Sequence, residues 1–508
     1  MNRALKRLSI AILVMFLLLL VNVNYLQGFE TASLAAKPGN SRTFYAQSQY
    51  QRGDIVTADG VKIATSTLSS PSDYASYSFK YQRTYPHGPV YAPITGYDTI
   101  DGHTPTAQTG LEYYEDSVLS GNDSSLTVRN FIDLFTGKQH KGASVTVTVN
   151  SVAQNAAYNG LAQTLQNTGR IGAVVAIDPS TGKILAMASY PSYDPNLLAT
   201  HSGTKLNAVD KQLLQSPGNP LLNHAINSTF PPGSTFKVVT SSAWFNQNPS
   251  SNPQSLVESP TALSLPQTNH QLTNDQGEVC GDGGGHTTLI QAFLQSCDTT
   301  FGKLGMDVGA NALNNQAQLF GMNGSALRIP MLVSPSNYTI PPSLADTAFS
   351  AIGQFDDTAT ALQEAMFSAA IANGGKLMTP YLVQNILASD LSTVQNTEPT
   401  MLNQAVSPTV ASYVGQMMLA AVQNPGGTAN LFNAANEGGL QIAGKTGTAQ
   451  NGGHNTGLDD AVFTAFAPYA NPRIAVGVII QGGGYGAVAA APIAVQVIKA
   501  YLSSQGIK

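Results

Sequence analysis

Pro231-Pro232-Gly233-Ser234-Thr235-Phe236-Lys237 is the stretch on which the reading of this 508-residue chain turns. Proline and glycine ahead of a polar residue are helix-start signals, and the apolar Val238-Val239 pair that follows gives the new helix a face to bury. Three positions separate Ser234 from Lys237, so a helix beginning here sets hydroxyl and amine on one face, one turn apart. A serine hydroxyl is a weak nucleophile until a base takes its proton. A lysine serves as that base where burial or neighbouring charge keeps its amine neutral. Alone, the pattern reads as an ordinary helix start with a solvated lysine. Its surroundings decide.

Working outward, 172–178 and 183–188 read as two buried strands joined by Pro179-Ser180-Thr181-Gly182. Before them, 143–149 alternates β-branched residues as a strand does, and 151–168 carries alanine and leucine at helical spacing. Beyond Lys237, mostly helical territory runs to about residue 430, broken by Ser/Asn/Pro-rich loops. Sheet signals then return at 440–448, 461–467 and 474–480, and an apolar helix at 491–502 closes the pattern. Two strands early and three late make one sheet from both ends of the segment. The expected fold is α/β, a mixed sheet covered by a helical insert and flanking helices.

Length and a 43% hydrophobic content call for two or three domains with sizeable cores. Only 10% of residues are charged, against about 25% in typical soluble domains, so Ser, Thr, Asn and Gln must wet the surface. A net charge of -5 without a basic tract argues against nucleic acid. At the amino end, Arg3, Lys6 and Arg7 precede an uncharged run over 8–26, about the length of a bilayer core. The run exceeds a signal-peptide core and no Ala-x-Ala site follows closely, which favours a retained anchor over a cleaved leader. The positive-inside rule then leaves 1–7 in the cytoplasm and the remainder outside.

Residues 27–40 form a short polar connection, and 41–142 read as an irregular, strand-rich pedestal with a hairpin signal at Asp59-Gly60. The second domain takes 143–508. Cys280 and Cys297 stand 17 positions apart, and in an oxidising compartment such a pair closes a loop. Zinc is a competitor because His286 lies between them, but without a CxxC pair the set is a poor structural site. Two free thiols are the third reading.

Three short motifs stand in order: Ser234-Thr235-Phe236-Lys237, Ser296-Cys297-Asp298 and Lys445-Thr446-Gly447-Thr448. Such a set marks penicillin-binding proteins and serine β-lactamases. The chain resembles the class B penicillin-binding proteins, most closely the actinobacterial penicillin-binding protein A group. The resemblance covers nearly everything after the anchor. It includes Arg52-Gly53-Asp54-Ile55, Asp59-Gly60 and Leu111-Glu112 in the pedestal, and 176–182, Tyr193-Asp194-Pro195-Asn196 and Ala372-Asn373-Gly374-Gly375 beyond it.

The resemblance implies an extracytoplasmic D,D-transpeptidase that cross-links peptidoglycan, binds β-lactams and carries a pedestal of the dimerisation type. Ser234 would attack the carbonyl between the terminal D-alanines of a stem peptide, with Lys237 as base and Ser296 relaying protons to the leaving amine. Asp298 and the Lys445-Thr446-Gly447-Thr448 strand would bind substrate, and the amides of Ser234 and Thr448 would form the oxyanion hole. No cofactor or metal is implied. Implied partners are a polytopic membrane glycosyltransferase and proteins of division or elongation.

One departure stands out. The second motif of the family usually ends in asparagine, whereas ionised Asp298 only accepts hydrogen bonds and would favour the charged form of Lys237. Either it is protonated, or it sits away from the lysine, or proton transfer is arranged differently. A β-lactamase is disfavoured by the lack of an acidic residue in an E-x-x-L-N context between the second and third motifs. A D,D-carboxypeptidase is the nearer rival, and a catalytically weak β-lactam-binding scaffold or sensor comes from another class.

Overall fold

The computed structural model describes residues 3–28, 30, 45, 48–99, 109–126, 141–450 and 459–507. Most of the connection expected at 27–40 lies outside them. The amino-terminal helix is Arg3–Gly28, and its stretch Leu5–Gln27 is long and apolar enough to cross a membrane. Its large apolar side chains, Leu13 and Phe16 among them, are exposed. A second apolar stretch, Gly486–Ser504, is half buried and belongs to the folded body.

That body is built on a five-stranded sheet in the order Ala443–Ala449, Asp460–Ala467, Ile474–Ile480, Gly172–Ile177, Ile184–Tyr190. Every pairing in it is antiparallel. Its central strands are buried on both faces, which is why they read as unbroken apolar runs rather than alternating ones. The faces still separate with period two. Val174, Ala176, Val476 and Val478 pack with Leu161 and Ile498 of the helices Ser151–Leu165 and Ala491–Ser504. Ala173, Val175, Ala475 and Ile479 face the other core, where the helix Ala361–Ala372 lies. That helix presses close enough for a Cβ at Gly477 to fall 2.4 Å from Ala361 O, so the position needs glycine.

A six-stranded sheet holds the one parallel pairing in the described sheets, Ile55–Val56 beside Ser144–Val147. Its order is Thr393–Asn396, Val383–Leu387, Ser144–Val147, Ile55–Val56, Lys62–Leu68, Tyr81–Thr84. The strand at the expected domain boundary therefore pairs with the pedestal on one side and with a late segment on the other. The hairpin at Asp59-Gly60 is formed, with Thr57 N donating to Val61 O. Asp59 also accepts from Ser151 N and Oγ, while Asn150 caps the same helix by accepting from Val152 N and Ala153 N.

The pedestal centres on buried Glu112, which accepts from Arg52 Nε at 2.7 Å and Arg83 Nε at 2.6 Å. Burial alone would raise its pKa, but the two guanidiniums outweigh burial and hold the carboxyl below the usual glutamate range. The territory between Lys237 and residue 430 is less uniformly helical than its sequence suggests. It contains three short antiparallel pairs: Leu256–Glu258 with His286–Thr288, Ala262–Ser264 with Gln271–Thr273, and Lys376–Met378 with Met401–Gln404.

Candidate active site

Ser234 lies in a tight 3-10 turn, Gly233–Phe236, that runs into the helix Lys237–Gln247. Gly233 takes φ 55°, and a Cβ there would sit 2.8 Å from Thr448 O, so glycine lets the turn press against the sheet edge. The turn is braced from behind. Gly233 N donates to Gly353 O at 3.0 Å, Thr235 Oγ1 to Pro232 O at 2.7 Å, and Phe230 N to Ala359 O at 2.9 Å. The Phe236 ring stacks on Tyr338 with centroids 5.6 Å apart.

Lys237 is fully buried, and its Nζ reaches Ser296 O at 2.7 Å, Ser296 Oγ at 3.1 Å and Asp298 Oδ1 at 2.6 Å. Lys445, equally buried, donates from Nζ to Ser296 Oγ at 2.8 Å and to Thr446 O at 2.9 Å. One hydroxyl oxygen thus stands between two lysine amines. Ser296 presents it from a left-handed residue, φ 61°, at the junction of the helices Leu289–Leu294 and Asp298–Val308. Asp298 opens the second helix, where the helix dipole favours a negative charge.

Burial pushes both lysines down from their ordinary pKa. At Lys237 the contact with Asp298 offsets part of the fall. Lys445 goes further, well below the usual range, because the charge of Lys237 adds to burial and outweighs the pull of Asp298. Among the arrangements open to Asp298 from sequence, separation from the lysine is not the one adopted: the two are in contact.

The strand Ala443–Ala449 is the outer strand of its sheet, and its free side forms one wall of a cleft of about 610 Å³. Thr446 O accepts from Lys445 Nζ, and Thr448 O accepts from Gln354 Nε2 at 2.8 Å, so both carbonyls point away from the neighbouring strand. In extended backbone a residue's N–H and C=O point the same way, which turns the amides of Thr446 and Thr448 toward the cleft. Ser234, Ser296, Asp298, Thr446 and Thr448 all line it.

Three further lining residues were not singled out from sequence. Thr428 Oγ1 stands 2.7 Å from Thr446 Oγ1, and its signal was the Pro425-Gly426-Gly427 turn that ends a long helix. Gln354 ties the third motif to the loop behind Ser234. Asn274 accepts from Thr299 N at 2.9 Å and holds the opposite wall to the second motif. Cys280 and Cys297 are joined, with Cα atoms 6.1 Å apart, so the same wall is fastened covalently next to Ser296. Among the described residues no cluster of three or more His, Cys, Asp or Glu side chains forms a metal site.

Two family models match this chain: a penicillin-binding protein transpeptidase domain over residues 172–499 and a penicillin-binding protein A dimerisation domain over 52–145. The peptidoglycan D,D-transpeptidase PbpA of Mycolicibacterium smegmatis is 40% identical, with 99% of each chain covered. The protein of that name from Mycobacterium tuberculosis is 37% identical over 99% of this chain and 100% of its own. In structure, the imipenem acyl-enzyme complex of penicillin-binding protein A from M. tuberculosis superposes with a TM-score of 0.81 at 37% identity, covering 90% of this chain and 100% of that one. With full-length similarity, both domain matches and the three motifs gathered at one sheet edge, this chain belongs to the class B penicillin-binding proteins.

Proposed function

We propose that this protein is a serine D,D-transpeptidase that joins peptidoglycan stem peptides through an acyl-enzyme on Ser234, and that β-lactams acylate the same serine. The observation that carries the reading is the Ser296 hydroxyl held between the Lys237 and Lys445 amines beside Ser234. Relatives named as D,D-transpeptidases and β-lactam acyl-enzyme structures of similar chains support it.

Ser234 Oγ attacks the carbonyl carbon between two D-alanines, and its proton passes to neutral Lys237. The amides of Ser234 and Thr448 receive the oxyanion; one such donor is worth about 3 kcal/mol. Collapse breaks the C–N bond, and the proton travels from Lys237 through Ser296 to the departing amine, releasing D-alanine. An acceptor amine then attacks the ester, its proton returns by the same route, and Ser234 is restored.

The hydrogen bonds around Lys237 support a neutral amine. Ser296 O and Asp298 only accept, so a neutral Lys237 donates both protons to them and offers its lone pair to the Ser296 hydroxyl. In the empty site Asp298 draws the shared proton to Lys237. A substrate carboxylate arriving beside Lys445 and Thr446 draws it instead to Lys445, by way of Ser296, and frees the base. The outward amides of Thr446 and Thr448 provide an edge on which an extended peptide pairs.

In the same reading 1–7 is a cytoplasmic tail, 8–26 the anchor, 41–142 the pedestal and 143–508 the catalytic domain, outside the membrane. The partners in this reading are a polytopic membrane glycosyltransferase that supplies glycan strands and proteins of division or elongation.

Labelling with a fluorescent penicillin, with and without Ser234→Ala, tests the centre. Peptide mapping should find the adduct on Ser234, and an adduct on Ser296 would refute the assignment. Incubation with stem-peptide donors should yield dimers; loss of D-alanine alone would favour a carboxypeptidase.

A further inference from the structure

Gln354 is half-buried at the wall of the cleft, and its side chain bridges two backbone groups on the free side of the outer strand. Its Nε2 donates to Thr448 O at 2.8 Å, and its Oε1 accepts from Gln450 N at 3.1 Å. A carbonyl can only accept and a backbone N–H can only donate, so one orientation of the carboxamide satisfies both. The side chain does for the end of this strand what a neighbouring strand would do. It supplies one donor and one acceptor to the edge.

The loop that carries Gln354 is bonded to the first motif as well. Gly353 O accepts from Gly233 N at 3.0 Å, immediately before Ser234, and Ala351 O accepts from Thr240 Oγ1 at 2.7 Å, on the helix that begins with Lys237. Gly353 N and Gln354 N donate to Ser350 O and Phe349 O, which folds the loop back on the end of the helix Leu344–Ser350. Two consecutive residues therefore hold the two segments whose amides form the oxyanion hole. Gly353 holds the Ser234 turn by its main chain, and Gln354 holds Thr448 by its side chain.

From this geometry, and resting on the function proposed above, we propose that Gln354 is a positioning residue for the oxyanion hole: it fixes Thr448 relative to Ser234, so that both amides aim at one point. In this role it acts through Thr448 and touches none of the reacting atoms. Donors already in place stabilise the tetrahedral state without reorganising, whereas a strand end left to swing must be brought back in every reaction. Losing Gln354 therefore slows acylation and leaves the first binding of ligand alone.

The test is pre-steady-state acylation of the full chain by one slow-reacting penicillin, which separates the Kd of the first complex from the acylation rate constant, in wild type, Gln354→Ala and Gln354→Glu. Alanine should lower the rate constant about tenfold and leave Kd within about twofold of wild type. A peptide boronate, whose adduct on Ser234 is tetrahedral, should lose about the same factor in affinity. Glutamate supplies the rescue. Ionised, it turns a lone pair toward Thr448 O and cannot donate; protonated, it has an O–H for Thr448 O and a C=O for Gln450 N. Its rate constant relative to wild type should climb as pH falls from about 8 to about 5. The charged or titrating groups around it are Asp356 and Asp357 on its own loop, the latter pushed up to about 7 by burial, Asp275, Glu278, Asp298 and Asp459 in the cleft, and the two buried amines. Both proteins carry all of them, so their titration cancels in the ratio. An added charge acting only on Lys237 would raise its pKa and make the ratio fall in acid instead.

An alanine rate constant equal to wild type overturns the proposal. So does a loss that appears in Kd while the rate constant holds, since Gln354 would then be a wall that touches ligand. A glutamate ratio that is flat or falls in acid overturns it too, and decides alone if alanine does not fold. Absence of any adduct on Ser234 in wild type would instead remove the function on which the proposal rests.

Discussion

Replacing Asp298 by asparagine isolates the contact that sets this site apart from the usual asparagine-bearing motif. Lys237 Nζ and Asp298 Oδ1 lie 2.6 Å apart, with the lysine side chain wholly buried and the aspartate 22% exposed. At an effective dielectric of about 20, opposite unit charges near contact attract by about 4 kcal/mol. Asparagine keeps the dipole and loses the charge, and partial exposure screens the rest, so about half, roughly 2 kcal/mol, should vanish. That is about a thirtyfold rise in the ratio of neutral amine to ammonium at Lys237. The sign follows from the opposing causes: burial lowers the lysine pKa and Asp298 raises it, so removing Asp298 lets it fall further. The acid limb of the acylation profile should move to lower pH, and the rate below the wild-type limb should rise by up to that factor. The assay is the pseudo-first-order acylation rate against pH with one slow β-lactam, alongside thermal unfolding to show an intact fold. Superimposable acid limbs, or a limb moved to higher pH, would refute the coupling of Asp298 to the base.

The two amines should fail differently: Lys237→Ala abolishes acylation, whereas Lys445→Ala weakens capture and turnover but leaves acylation at high ligand concentration, and equal, undiminished rates would refute the division. Reducing the Cys280–Cys297 bond opens a loop of 17 residues, worth about 3 kcal/mol, and should slow acylation before the domain unfolds; unchanged rates in reduced protein would contradict this. Glu112→Ala takes the carboxylate partner from buried Arg83 and leaves Arg52 with Asp116 alone, and should destabilise by about 3–5 kcal/mol, read as a lowered Tm. Because the Glu112 pKa is depressed in the fold, its stabilisation is present above the unfolded glutamate pKa and is lost as pH falls through the folded value, so wild type should lose this advantage over Glu112→Gln in acid.

The long strands were legible because each is an apolar run bounded by turn residues, and Asp59-Gly60 because few other pairs suit so tight a turn. The strands of three residues were not: a segment such as Gln271–Thr273 offers one buried side chain and no period to read. The helix expected at Ser234 begins one turn later, as regular helix from Lys237, because Gly233 must first carry the chain against Thr448. The motifs named the candidate site residues but not their connection. Ser296 is 59 positions from Lys237 and 149 from Lys445, and only folding shows that one oxygen meets both. The burial of the helix Ala361–Ala372 was not legible either. In sequence, a glutamate within Leu362-Gln363-Glu364-Ala365 looks like the wet side of a helix, yet that helix is covered all round.

The six-stranded sheet also sets where the chain can be cut. Ser144–Val147 takes hydrogen bonds from Ile55–Val56 on one side and Val383–Leu387 on the other. A truncated protein beginning after the pedestal would keep the three motifs but bare one whole side of that strand, an unpaired row of amides and carbonyls ready to pair with another molecule. Such fragments should self-associate even when correctly acylated. The two parts should also melt in one cooperative transition rather than two, because neither closes its sheet without the other.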